Sequence, residues 1–227
     1  MGFPSVVPSH VILDPRLSVL TPLSVWLSTG VRSIDHCVET LCSLKSSAAN
    51  DQDAEKGLRL LACGLLRCKR DIQNLDARLK CQMGVISAMK SIMGVDLGAS
   101  HGIGHQLGPL GVGHGETSCI LLPAVCRYNI SRNLERQGRV KEILLKELEV
   151  REVLEARSLD LTADLGDILD SLFRELELPR TLADVGFVGE ENFRRLAEIC
   201  VKDRWCRANP RPLTEVKQVM ELLEMVS

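Results

Sequence analysis

His101-Gly102-Ile103-Gly104-His105-Gln106-Leu107-Gly108 is followed, four residues on, by Gly113-His114-Gly115. Residues 94–115 hold nearly half of the chain's 17 glycines and three of its five histidines. Such a concentration marks a site, not scaffold. Glycine lets a ligand or another backbone come close, and imidazole is the commonest metal ligand at neutral pH. His101 and His105 are four apart and share one face if the stretch is helical. Spacing alone leaves two readings open: a metal or catalytic cluster, or a set of hydrogen-bonded core and helix-end histidines.

Upstream lies a further histidine, in Gly30-Val31-Arg32-Ser33-Ile34-Asp35-His36-Cys37-Val38-Glu39. Ile34, Val38 and Leu41 are spaced for one buried helical face. Helices are expected over 22–28 and 31–44, with Thr29-Gly30 as an interruption. Residues 46–53 are small and polar and read as a loop. Helical patterns follow over 54–69, 71–93, 116–127 with Pro123 as a bend, 131–157, 160–177, 189–201 and 214–225. Asn209-Pro210-Arg211-Pro212 is a turn. The one convincing strand is 10–14, His-Val-Ile-Leu-Asp, closed by Pro15. A lone strand cannot complete its own ladder, so it is an orphan from a sheet.

Composition agrees with helices. Of 227 residues, 45% are hydrophobic and only 3% aromatic, so the core is built from aliphatic side chains. A net charge of −2 gives no basic surplus for nucleic acid. No run reaches the ~18 apolar residues of a membrane span. Residues 1–8 lack the basic and apolar regions of a leader. Nine cysteines, an odd number with no C-x-x-C pair, read as buried thiols of a reducing compartment, and the expected location is cytoplasmic.

The histidine motif, Gly30 to Glu39, Cys119-Ile120-Leu121-Leu122-Pro123 with Arg127-Tyr128-Asn129, and Leu178-Pro179, Asp184-Val185-Gly186 and Asn209-Pro210-Arg211 all recur in one known family. In that order and spacing, the chain resembles the C-terminal half of iron-containing (group III) alcohol dehydrogenases. The resemblance implies an all-α fold, the dehydroquinate-synthase-like helical domain of that family, over 21–227. Residues 1–20 would be the last strand and linker of a nucleotide-binding domain. It further implies NAD(P) as cofactor and a divalent metal, iron or zinc, whose histidine ligands fall on His36, His101 and His114. His105 matches the histidine beside the nicotinamide that assists proton transfer.

Two departures qualify this. Arg32 stands where the family carries its metal-binding Asp, four residues before His36. A guanidinium only donates, and as a fixed cation it repels a divalent ion. Asp35 points elsewhere on the helix and is expected to pair with Arg32 at i,i+3. Metal binding is therefore disfavoured, and the chain looks closer to the maleylacetate-reductase-like branch, which works without metal. There Arg32, with the histidines, would polarise a carbonyl or hold a carboxylate. Second, no glycine-rich phosphate loop follows a strand, so binding of NAD(P) is expected to need a nucleotide-binding half from another chain or from sequence upstream; the expected partners are a small-molecule substrate and a separate nucleotide-binding chain or a homo-oligomer. Three readings follow: an NAD(P)-dependent reductase of a carbonyl or activated alkene in a small substrate; a domain turned to non-redox acid–base chemistry such as isomerisation or cyclisation; or a non-catalytic remnant. Glu39 and Glu116 are expected to support the histidines, and Trp26 and Trp205 to be core or interface residues.

Overall fold

Side-chain caps and charge placement start and stop most of the helices. The computed structural model describes residues 10–160 and 162–227. The elements, in order, are α1 Pro15–Ser18, α2 Leu23–Cys42, α3 Ala48–Arg70, α4 Leu75–Ser91, α5 Ala99–Leu107, α6 His114–Leu145, α7 Leu148–Ala156, α8 Leu165–Glu175, α9 Glu190–Cys200, α10 Arg204–Ala208 and α11 Val216–Glu224. At α3, the Ser47 hydroxyl accepts from the Asn50 N–H at 3.2 Å, and Arg67, Lys69 and Arg70 crowd the last turn, where the helix dipole favours cations. At α8, Asp164 and Asp167 cap each other's backbone N–H groups.

Three sequence expectations are corrected. Among the described residues there is no strand: 10–14 runs without a ladder partner, Ile12 is exposed, and Asp14 instead caps α1 by accepting from the Arg16 N–H at 2.9 Å. The leader reading, and residues 1–9 of the expected strand-and-linker segment, lie outside the described residues. Second, α2 runs unbroken through Thr29-Gly30. The Thr29 hydroxyl bonds back to the Val25 carbonyl at 2.6 Å, and Gly30 is small because Leu65 of α3 lies against it; a Cβ there would sit 2.5 Å from that side chain. Third, the polar stretch 46–53 mostly belongs to α3, which its Ser47 cap starts earlier than its apolar residues suggest.

Helix α6 is the longest and organises the rest. It passes through Pro123 without breaking. Proline cannot donate to the carbonyl four residues back, and that carbonyl, of Cys119, accepts from the Arg180 guanidinium instead. A local kink falls ten residues on, at Asn133 (φ −142°, ψ 32°), where the side chain donates to the Cys42 carbonyl at 2.9 Å. One face of α6 (Cys119, Leu122, Cys126) packs into a core shared with α2, α3, α4, α7 and α8. Another (Ile120, Leu121, Val125, Tyr128) packs into a second core with α5, α9, α10 and α11. The N-terminus of α6 lies where these two cores meet. All nine cysteines are free and buried, and no helix of the described residues is long and apolar enough to cross a membrane.

Candidate functional site

Arg32 and His36 sit one turn apart on α2, and His101 and His105 one turn apart on α5. His114 begins α6, and the short α10 adds Arg204 and Trp205. All seven side chains line one cavity of about 410 Å³ at the junction of the two cores. The His36 and His101 rings stack at 4.6 Å between centroids, and His105 and His114 stack at 5.7 Å. Every residue that the sequence marked as a site residue thus borders the same space.

The local chain makes these approaches possible. At Gly102 a Cβ would lie 2.9 Å from the backbone N of Cys206, so only glycine lets α10 come this close to α5. That contact seats Trp205 4.7 Å from the His105 ring and edge-on to His101 at 5.9 Å. Trp205 was expected in the core or at an interface; it is a wall of the cavity. Its helix is only five residues long, too short for periodicity to reveal. Arg204, whose guanidinium lies 4.9 Å over the Trp205 ring, went unmarked for the same reason. Trp26 does not reach the site and packs against the Arg78 guanidinium at 4.8 Å.

Behind the histidines lies a buried polar network. The Glu39 carboxylate accepts from the N–H groups of Gly98 and Ser100, both at 2.9 Å, and pairs with His101 Nδ1 at 2.8 Å. It therefore caps α5 from another helix, with its charge at the positive end of the dipole. Asn209 completes the cap by accepting from the Ala99 N–H at 3.1 Å, and its side chain is locked to Asn129. Burial pushes the Glu39 carboxyl up to about 7, against the pull of its backbone donors. All its hydrogen-bond partners can donate, so the cage fits the ionised form. Glu116 caps too, accepting from the Gly113 N–H at 3.1 Å. Both glutamates support the histidines as expected.

Asp35, fully buried, accepts from the hydroxyls of Ser100 at 2.8 Å and Ser118 at 2.6 Å. Ser118 in turn accepts from Arg32 Nη1 at 3.0 Å, and Arg32 lies 3.6 Å from Asp35, the i,i+3 pair expected from spacing. Arg32 is only 6% exposed. Burial holds His36 down to about 2 and His101 down to about 3, so both rings are neutral at physiological pH. Burial also lowers His105 and His114, and the Arg32 cation lowers all four histidines.

The donor set does not fit a divalent cation in the family's manner. Some features favour one: His101 Nδ1 is tied to a carboxylate, as in metal-bound histidines, and its Nε2 has no hydrogen-bond partner. Yet the position one turn before His36 holds a guanidinium, and its positive potential reaches every imidazole around the cavity. Oxygens of Asp35 and Glu39, which with His101 Nδ1 lie within 4.8 Å of one another, sit on the far edge of that ring; Asp35 Oδ2 and the Glu39 oxygens already accept protein donors, while Asp35 Oδ1 has no partner.

Residues 26–226 match the model of the Fe-containing alcohol dehydrogenase family, C-terminal part. The chain belongs to that family. It is 42% identical over 233 residues to Dehydrogenase ALT3 of Alternaria alternata, a match covering 94% of this chain and 60% of that protein. It is 28% identical over 211 residues to Maleylacetate reductase 1 of Cupriavidus pinatubonensis, covering 92% of this chain and 54% of that one. Its fold superposes on maleylacetate reductase from a Rhizobium strain with a TM-score of 0.83 at 23% identity, covering all of this chain and 59% of the other. The all-α fold and the iron-containing alcohol dehydrogenase family expected from the motifs are therefore correct, and maleylacetate reductases are among the chain's relatives. The chain spans little more than half the length of these relatives.

Proposed function

We infer that this chain is the substrate-side half of an NAD(P)-linked oxidoreductase that reduces a carbonyl or activated alkene in a small substrate. The observation that carries this reading is the cavity itself. It joins buried His101, half-buried His36 and a fixed guanidinium to two histidines open to solvent. Membership of a dehydrogenase family supports the reaction class. The nine free cysteines suit a reducing, cytoplasmic setting.

Among the described residues no glycine-rich turn joins a strand to a helix, so a dinucleotide's pyrophosphate has no site here. Its binding face belongs to another part of the protein or a partner chain. When bound there, the nicotinamide supplies a hydride. The residues of this chain do the remainder. Arg32, held by Ser118 and Asp35, presents a preorganised positive charge to the substrate oxygen. His105 manages the proton. His101 is buried and His36 half-buried, whereas His105 is exposed and stacked on exposed His114. A proton can pass along that pair between solvent and the reacting oxygen. Trp205 closes one side of the cavity and limits water around the charge.

The test is turnover of a panel of small aldehydes, ketones and unsaturated keto acids with NADH or NADPH. The chain is assayed alone and mixed with the portion of the Alternaria relative outside the match. Nucleotide-dependent reduction, lowered about 100-fold or more by His105→Ala, is expected. Turnover that needs no nucleotide would replace this reading with the isomerase or cyclase one, and activity indifferent to His105 would overturn the assignment.

A further inference from the structure

The cavity has most of what a zinc or iron site needs, and one residue that forbids it. Three imidazoles, His36, His101 and His114, border one space, and His101 is oriented by Glu39 with its Nε2 unpartnered. Three imidazoles can hold zinc with the fourth position taken by water or by a further ligand such as a carboxylate. On α2 the position that shares His36's face, one turn earlier, carries the Arg32 guanidinium.

Arg32 is not a loose surface charge that has strayed inward. It is 6% exposed, it donates to Ser118, and Ser118 and Ser100 both hold the Asp35 carboxylate that balances it. Removing an unpaired buried charge from water is expensive, so a cation kept here is a cation the site is built around. Asp35 and Glu39 lie behind His101, held by protein donors at Asp35 Oδ2 and at both Glu39 oxygens, and the guanidinium lies on the cavity side.

We propose that the Arg32 guanidinium takes the charge position of the missing divalent cation, so that this chain excludes metal by construction and uses a protein-borne cation in its place. The electrophilic role given to Arg32 rests on the reductase reading above. Metal exclusion does not, because it concerns the cavity residues alone and needs neither substrate nor nucleotide. A corollary follows: a carboxylate at position 32 should turn the same three imidazoles into a metal site.

Zinc and cobalt(II) binding to the purified full chain tests this, by calorimetry and by the visible absorption of bound cobalt. Wild type, Arg32→Asp, Arg32→Gln and the double variant Arg32→Asp/His101→Ala would be compared, each checked for helical content by circular dichroism. Wild type should bind no stoichiometric metal and give no cobalt spectrum. Arg32→Asp should take up one equivalent, at least roughly 100-fold more tightly than wild type, with the spectrum of a four-coordinate ion. Loss of that uptake on adding His101→Ala would locate the ion. Arg32→Gln removes the charge while keeping a donor for Ser118, and should show weaker uptake that still exceeds wild type; it decides the matter if the aspartate variant does not fold. Stoichiometric metal in the wild type overturns the proposal, as does a folded Arg32→Asp that binds none or binds it without His101. A failure of reductase activity in any of these proteins leaves the metal result standing, so the two readings fail separately.

Discussion

Truncating Glu39 to alanine should be among the most damaging single changes outside the apolar cores. The carboxylate serves three buried donors: the N–H groups of Gly98 and Ser100 and Nδ1–H of His101. Each loses its partner in the variant. A buried donor left unsatisfied costs about 1–3 kcal/mol. The loss of a negative charge at the α5 N-terminus adds about 0.3–1 kcal/mol. A cavity of about 20 Å³ borders Glu39, close to the volume one water needs. Water entering the enlarged space would rescue part of the loss, which favours the lower end of the range, about 3 kcal/mol. With a urea m-value of about 2 kcal/mol/M, the unfolding midpoint should fall by about 1.5 M. The assay is urea denaturation followed by circular dichroism at constant pH. A midpoint within about 0.5 M of wild type would refute the claim that Glu39 is the cap of α5. The same variant frees His101 to change tautomer, so any activity should fall further than stability alone explains.

Other perturbations probe separate links. At Gly115 a Cβ would lie 2.7 Å from the Ser28 carbonyl carbon and 2.9 Å from Thr29 N, both backbone of α2. Gly115→Ala must push α2 and α6 apart, so the protein should lose about 1–3 kcal/mol in a thermal melt; an unchanged melting temperature would mean the helices are not in contact there. Asp184 accepts from the N–H groups of Arg180 at 2.8 Å and Thr181 at 2.9 Å, and these bonds hold its carboxyl below the ordinary 3.8. A lowered carboxyl contributes stability above its unfolded value and loses it as pH falls through the folded one. The stability gap between wild type and Asp184→Ala should therefore be full near neutrality and shrink below about pH 4. A gap that widens on acidification would reverse the sign of that argument.

The relation between sequence and structure differs from element to element. Amphipathic helices such as α8, α9 and α11 were legible because aliphatic residues recur with the helical period. The unbroken course of α2 was not. Thr29-Gly30 reads locally as a stop, and only the contact with Leu65 on α3 shows why a glycine is needed inside the helix. The strand expected at 10–14 failed for the converse reason. β-propensity is realised only against a neighbouring strand, and the described residues offer none.

In the site, the sequence by itself determined the chemical vocabulary. It named four histidines, the cation at Arg32 in a position suited to an anionic ligand, and the i,i+3 pairing of Arg32 with Asp35. These depend on residue type and on spacing within one helix, which the covalent chain fixes. Tertiary structure decided the rest. It alone made Glu39 of α2 the cap of α5, joined Asn129 to Asn209, and brought the five-residue α10 against Gly102 so that Trp205 and Arg204 became part of the cavity. It also separated His101, buried, and His36, half-buried, both held neutral, from the two that meet solvent. Burial and the fields of distant charges set that division, and both arise from segments far apart in the chain that share space only after the two cores have packed around α6.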